Sequence, residues 1–141
     1  SSPSFMDQEA RAMDEAKSRR REEMKRRTRR VALAIIRLGS FLPRNMVSHI
    51  LGRQLLGAGT SVGAHYREAC RAKSRADFIN KLGGAIEEVD ESALWLEILA
   101  ESGISAREQT VPLWREADEL TRIFVRSRET ARANRDAAIR K

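Results

Sequence analysis

Apolar residues recur along this chain at intervals of three and four in separate stretches, each bounded by residues that stop a helix. The first stretch, Met6 to Leu38, contains no glycine or proline; its first half is polar all round, and a stripe of Val31, Ala34, Ile35 and Leu38 follows before Gly39-Ser40 and Pro43. A second stretch, from about Arg44 to Ala72, places Val47, Leu51, Leu55, Ala58, Val62, Tyr66 and Ala69 on one helical face. Ser74-Arg-Ala-Asp77 resembles a capping box and opens a third stripe of Phe78, Leu82, Ala85, Ile86, Val89, Ala93, Leu96 and Leu99, which Gly103 ends. The fourth stretch has two possible starts, a capping box at Ser105–Glu108 or Thr110 with Pro112 in the first turn. Its stripe of Leu113, Ala117, Leu120 and Phe124 fades after Val125. No stretch sustains a period of two. The pattern predicts an all-α protein, an antiparallel up-and-down four-helix bundle over residues 31–126. Residues 1–30 form a basic helical extension ahead of it and residues 127–141 a basic tail behind it.

Composition agrees with helices: 141 residues with only three prolines and eight glycines. No apolar run approaches the roughly 20 residues needed to cross a bilayer, and SSPSFMDQEA has no apolar signal region. A single cysteine, Cys70, leaves no internal disulfide, so the expected location is the reducing cytoplasm.

Charge changes the picture more. The net charge is +7, which attracts polyanions, and its distribution is uneven. Lys17 to Arg30 carries nine basic residues against Glu22 and Glu23, whereas Gly84 to Glu101 carries six acidic residues and no basic one.

The run GAGTSVG at residues 57–63 looks like a phosphate loop, but its spacing differs from a dinucleotide fingerprint, no strand precedes it, and no lysine follows. The apolar stripe passes straight through it. Gly52, Gly57, Gly59, Ser61, Gly63 and Ala64 therefore read as small residues that admit a neighbouring helix.

Three blocks carry a family resemblance. They are Gln54, Leu55, Leu56, Thr60, Ser61, Val62, Gly63, Ala64, Glu68 and Ala69; then Ser74, Asp77, Phe78, Ile79, Lys81 and Leu82; then Glu88, Glu91, Ser92, Trp95, Leu96 and Leu99. In this order and spacing the chain resembles the four-helix-bundle proteins encoded in intervening sequences of bacterial 23S rRNA genes. Gly57-Ala58 and His65 depart from the family pattern, which has Arg-Ser and Asn there. The resemblance implies an antiparallel bundle, a ring-like homopentamer and no catalytic residues. A similar fold serves as the accessory subunit of diversity-generating retroelements, a basic pentamer that binds template RNA and the reverse transcriptase.

The candidate nucleic-acid-binding residues are Arg19, Arg20, Arg26, Arg27, Arg29 and Arg30 on the first helix, with Arg67, Arg71, Lys73 and Arg75 at the second junction. Such clusters bind phosphates with steep salt dependence. Aromatic residues fall on apolar stripes, so shape recognition of structured RNA fits better than base stacking. Trp95 and Trp114, with Glu88 and Glu91, are candidates for the interface between subunits. No Glu-x-x-His pair supports a dimetal centre, and His49, His65 and Cys70 share no helical face, so neither metal nor cofactor is expected. No serine, threonine or cysteine has an evident base partner, and an enzyme is not expected. The leading reading is a basic, oligomeric RNA-binding protein, accessory to a reverse transcriptase or associated with rRNA. The alternative is an assembly scaffold that binds no nucleic acid.

Overall fold

In the computed structural model, which describes residues 2–140, four α-helices account for nearly all of the chain. Ser1 and Lys141, the outermost residues of the two expected extensions, lie outside the described residues. The helices are α1 (Phe5–Ser40), α2 (Met46–Cys70), α3 (Arg75–Glu101) and α4 (Arg107–Arg140). Among the described residues there is no strand.

Each start has a local cause. Ser4 and Asp7 form a reciprocal capping box at α1, with Asp7 N–H donating to Ser4 Oγ at 3.1 Å. Asn45 Oδ1 accepts from Ser48 N–H at 2.8 Å to open α2. Ser74 Oγ accepts from Asp77 N–H at 3.0 Å to open α3, while the Asp77 carboxylate takes the Lys73 N–H rather than that of Ser74. Neither expected start of α4 is used. The helix begins at Arg107, and the Ala106 carbonyl accepts the first helical bond, from Thr110 N–H at 3.2 Å. Ser105 Oγ is buried without a partner among the described residues, so no capping box forms there. Pro112 falls inside α4, where it leaves the Glu108 carbonyl without its helical donor. At the end of α3, Gly103 adopts φ +78°, and its N–H donates to the Ala100 carbonyl at 3.1 Å.

Turns at 41–45, 71–74 and 102–106 reverse the chain three times. Each helix packs on the next, and α1 also meets α4, so the four follow one another around a bundle. Cross-helix pairs give the directions. Gly59 lies against Ile35 and Gly63 against Thr28, the trend of antiparallel neighbours. Trp114 reaches Glu97 and Arg75 reaches Asn134, which runs α4 antiparallel to α3.

The core collects one stripe from each helix. Ile35, Leu55, Val62, Leu82, Val89, Leu96, Leu99, Leu120 and Phe124 are fully buried, each contributing about 1.5–3 kcal/mol relative to an exposed position. Tyr66 of α2 stacks on Phe124 of α4 at 5.1 Å between ring centroids, so the rings meet across the middle of the bundle. The weakest seam is α1 against α4. At 1.5 Å per residue, α1 is about 54 Å long and α2 about 38 Å, and the start of α1 extends past the end of α2 with its side chains exposed. Bundle packing of α1 begins at Met24 and Thr28, a turn before the Arg30 boundary expected from the sequence.

Candidate nucleic-acid interface

Antiparallel packing of α1 on α2 sets the N-terminal half of α1 beside the last turns of α2. Lys17 to Arg26 of α1 therefore lie toward the end of the bundle that carries the 71–74 turn with Arg67, Arg71, Lys73 and Arg75. A third basic segment reaches the same end. The Arg75 guanidinium donates to the Asn134 carbonyl at 3.1 Å, which ties the start of α3 to the last turns of α4. This portion of α4 carries Arg126, Arg128, Arg132, Arg135 and Arg140. Three segments distant in sequence thus bring their positive charge to one end.

Of the residues singled out from sequence, Arg19, Arg20, Arg26, Arg29, Arg30, Arg67, Arg71, Lys73 and Arg75 are exposed. Arg26 pairs with Glu23 on its own helix. Arg29 and Arg30 sit nearer the middle of the bundle, and Arg30 lines the α1–α4 seam. Arg27 is placed differently from its neighbours. Its side chain is half-buried and forms ion pairs with Glu116 and, at 3.3 Å, Glu119 of α4. The bond to Glu116 holds the guanidinium pKa above its ordinary value, so Arg27 fastens α1 to α4.

By sequence alone the C-terminal arginines read as a basic tail outside the candidate interface. Arg128, Arg132 and Arg135 recur at helical spacing, a signal that they share a side of α4, but only the α3–α4 contact shows which end they reach. Arg128 Nε is shielded and has no acceptor among the described residues, whereas Arg135 pairs with Asp136 at 3.3 Å.

Of the four residues considered for a subunit interface, Trp95, Trp114 and Glu91 make side-chain hydrogen bonds within the chain, and Glu88 lies beside His65. Trp95 Nε1 donates to Glu91 at 3.2 Å, one turn earlier on α3, and Trp114 Nε1 donates to Glu97 at 3.1 Å. Both indole rings are half-buried and pack on the core. Glu88 lies 3.9 Å from His65 Nε2, and Glu68 lies 3.9 Å from Nδ1, so His65 sits between two carboxylates. Burial, reinforced by repulsion from Glu91, raises the Glu88 pKa against the attraction of His65. Gly84 leaves room for that imidazole, since a Cβ there would stand 2.9 Å from Nδ1.

No group of three or more histidine, cysteine, aspartate or glutamate side chains suited to a metal ion occurs among the described residues. The hydroxyls of the glycine-rich run donate to helix carbonyls: Thr60 to Leu56 at 2.7 Å and Ser61 to Gly57 at 2.7 Å. The run is helical throughout, with the amides that a phosphate loop would present engaged in α2. No described helix is long and apolar enough to cross a membrane.

A family model described as 23S rRNA-intervening sequence protein matches residues 20–126. A search of curated proteins returns no match. Among solved structures, the chain is similar to a protein of unknown function from the S23 ribosomal protein family of Bacteroides thetaiotaomicron VPI-5482. The two share 34% sequence identity and a TM-score of 0.71, covering 77% of this chain and 97% of the other. The matched region spans all four helices and leaves out the first turns of α1 and the last turns of α4, and the chain belongs to the 23S rRNA-intervening sequence protein family.

Proposed function

We propose that this chain is a non-catalytic, cytoplasmic RNA-binding protein that assembles with copies of itself, as a pentameric ring, and holds structured RNA by its phosphates. The observation that carries this reading is the gathering of three basic segments at one end of the bundle, with most of their arginines exposed. A surface of this kind neutralises several phosphates at once and releases their counterions. Tyr66, Phe78, Trp95, Trp114 and Phe124 pack in or on the core, and the exposed Phe5 and Phe41 lie outside the three basic segments, which favours backbone and shape recognition over stacking. RNA held this way can be presented to a reverse transcriptase or kept against ribosomal RNA.

A protein-assembly scaffold is the second reading, favoured by a different observation. Leu33, Ile36, Met46, Val47 and Ile50 are all at least 47% exposed, on α1 and the first turns of α2. Exposed apolar side chains in such number suit a protein partner or another copy.

Titration of the protein into a labelled RNA hairpin, and into duplex DNA of equal length, at several salt concentrations separates the two. The RNA reading expects tight binding whose log K falls with log salt by about 0.7–0.9 per phosphate contact, with RNA preferred to DNA. Absence of binding at low salt contradicts it. Assembly that persists unchanged across the same salt range then supports the scaffold.

A further inference from the structure

The first turns of α1, polar over most of their surface, gather their few large apolar side chains on one side. At 100° per residue, Phe5, Met6, Met13 and Ala16 fall within one arc, with Glu9 between them, and Asp7, Asp14 and Glu15 fall on the other side. Phe5 is 72% exposed, Met6 75% and Met13 70%, so the face has no partner in the single chain. A projecting helix of this length is marginal in water and gains stability by covering such a face.

The same molecule holds a complementary surface. Between α1 and α4 lies a groove with Leu38 and Leu113 in its floor and Phe41, 71% exposed, at one end. Arg30 and Arg37 stand on its α1 rim, opposite Glu116, which is already bound to Arg27. Residues 5–16 carry Asp7, Glu9, Asp14 and Glu15 against Arg11 alone. An acidic, apolar-faced helix thus meets an apolar groove with a basic rim. The segment cannot reach the groove of its own chain. Met13 belongs to the same unbroken helix that Phe41 caps, about 40 Å away at 1.5 Å per residue.

We propose that residues 5–16 of one copy dock in the α1–α4 groove of a second copy, acting as an exchanged arm that links subunits. The arm precedes the region matched by the family model, residues 20–126. The proposal deepens the self-association part of the reading above and rests on it; RNA binding does not enter.

The test is cysteine cross-linking in the full chain, with Cys70→Ala as background. One preparation carries Met13→Cys and a second carries Phe41→Cys, and the two are mixed and oxidised. Light scattering of the unaltered protein gives the oligomeric mass alongside. The expected result is a disulfide-linked dimer from the mixture, and a loss of association of at least about tenfold in Met13→Asp with helical content retained. An oligomer that shows no 13-to-41 link overturns the arm and leaves self-association standing. Linking of Met13→Cys only to itself also overturns it, by placing arm on arm. A monomeric mass overturns both the arm and the self-association on which it rests.

Discussion

Gly57 and Gly59 stand two residues apart on α2 and face opposite surroundings. A Cβ at Gly59 would lie 2.2 Å from Ile35 Cδ1, a side chain buried in the core, whereas a Cβ at Gly57 would meet nothing within 4 Å. The reading of residues 52–64 as a packing run therefore holds for Gly59 and Gly63, which face α1, and for Gly52, which faces Leu42 of the turn after α1, and not for Gly57. Gly59→Ala should destabilise by about 1–2 kcal/mol through overpacking. Gly57→Ala should stabilise by about 0.5–1 kcal/mol by removing the glycine penalty in a helix. Urea unfolding of the two variants checks both signs. Glu88 offers a pH test at the same scale. Its folded pKa is raised above 4.5, so the folded state binds its proton more tightly than the unfolded state does. That contribution is present at acid pH and is lost as pH rises through the folded pKa. Glu88→Gln should therefore compare more favourably with the parent at pH 7 than at pH 4, and equal differences at the two pH values would contradict the account.

At the scale of the helix, caps explain why some boundaries were legible and one was not. Ser74 and Asp77 announced α3, and the glycine after it announced its end, because both act through short-range bonds to the backbone. The start of α4 was ambiguous because Ser105, the residue with the capping side chain, is drawn into the bundle and buried. The cap falls to Ala106, which has no acceptor in its side chain. Ala106→Asp should supply one and raise stability by about 1 kcal/mol, and Ser74→Ala should lower it by about the same. Thermal melts followed by circular dichroism report both. The stripes were legible for the same local reason: Val62, Leu82, Val89, Leu96 and Phe124 keep helical period and are among the most buried residues of the bundle. The faces beyond the stripes were not legible. The indole N–H of Trp95 finds Glu91 one turn earlier on α3, whereas that of Trp114 finds Glu97 across helices, a pairing that depends on how α3 and α4 are rotated.

For the whole molecule, the central fact is where charge lies. Sequence placed the arginines of α1 and of the 71–74 turn in separate clusters and left those after Phe124 as a tail. Only the antiparallel packing, fixed by pairs such as Arg75 with Asn134, shows that they share one end. Arg27 departs from that set for a tertiary reason, since Glu116 and Glu119 occupy it. Arg27→Met should cost about 1–2 kcal/mol of stability and leave affinity for RNA nearly unchanged, measured on the folded fraction. The opposite end has exposed arginines too, Arg44, Arg53, Arg107 and Arg115.

The most direct test of the account exploits that pair of ends. Two variants of equal net charge are compared in RNA titrations across salt: Arg67, Arg71, Arg126 and Arg132 to Gln in one, and Arg44, Arg53, Arg107 and Arg115 to Gln in the other. The account predicts that the first loses affinity by at least about tenfold and flattens the salt slope by roughly one unit per contact removed, while the second stays within a few-fold of the parent. Equal losses in both would show that net charge alone draws the RNA, and would contradict a basic end built for it.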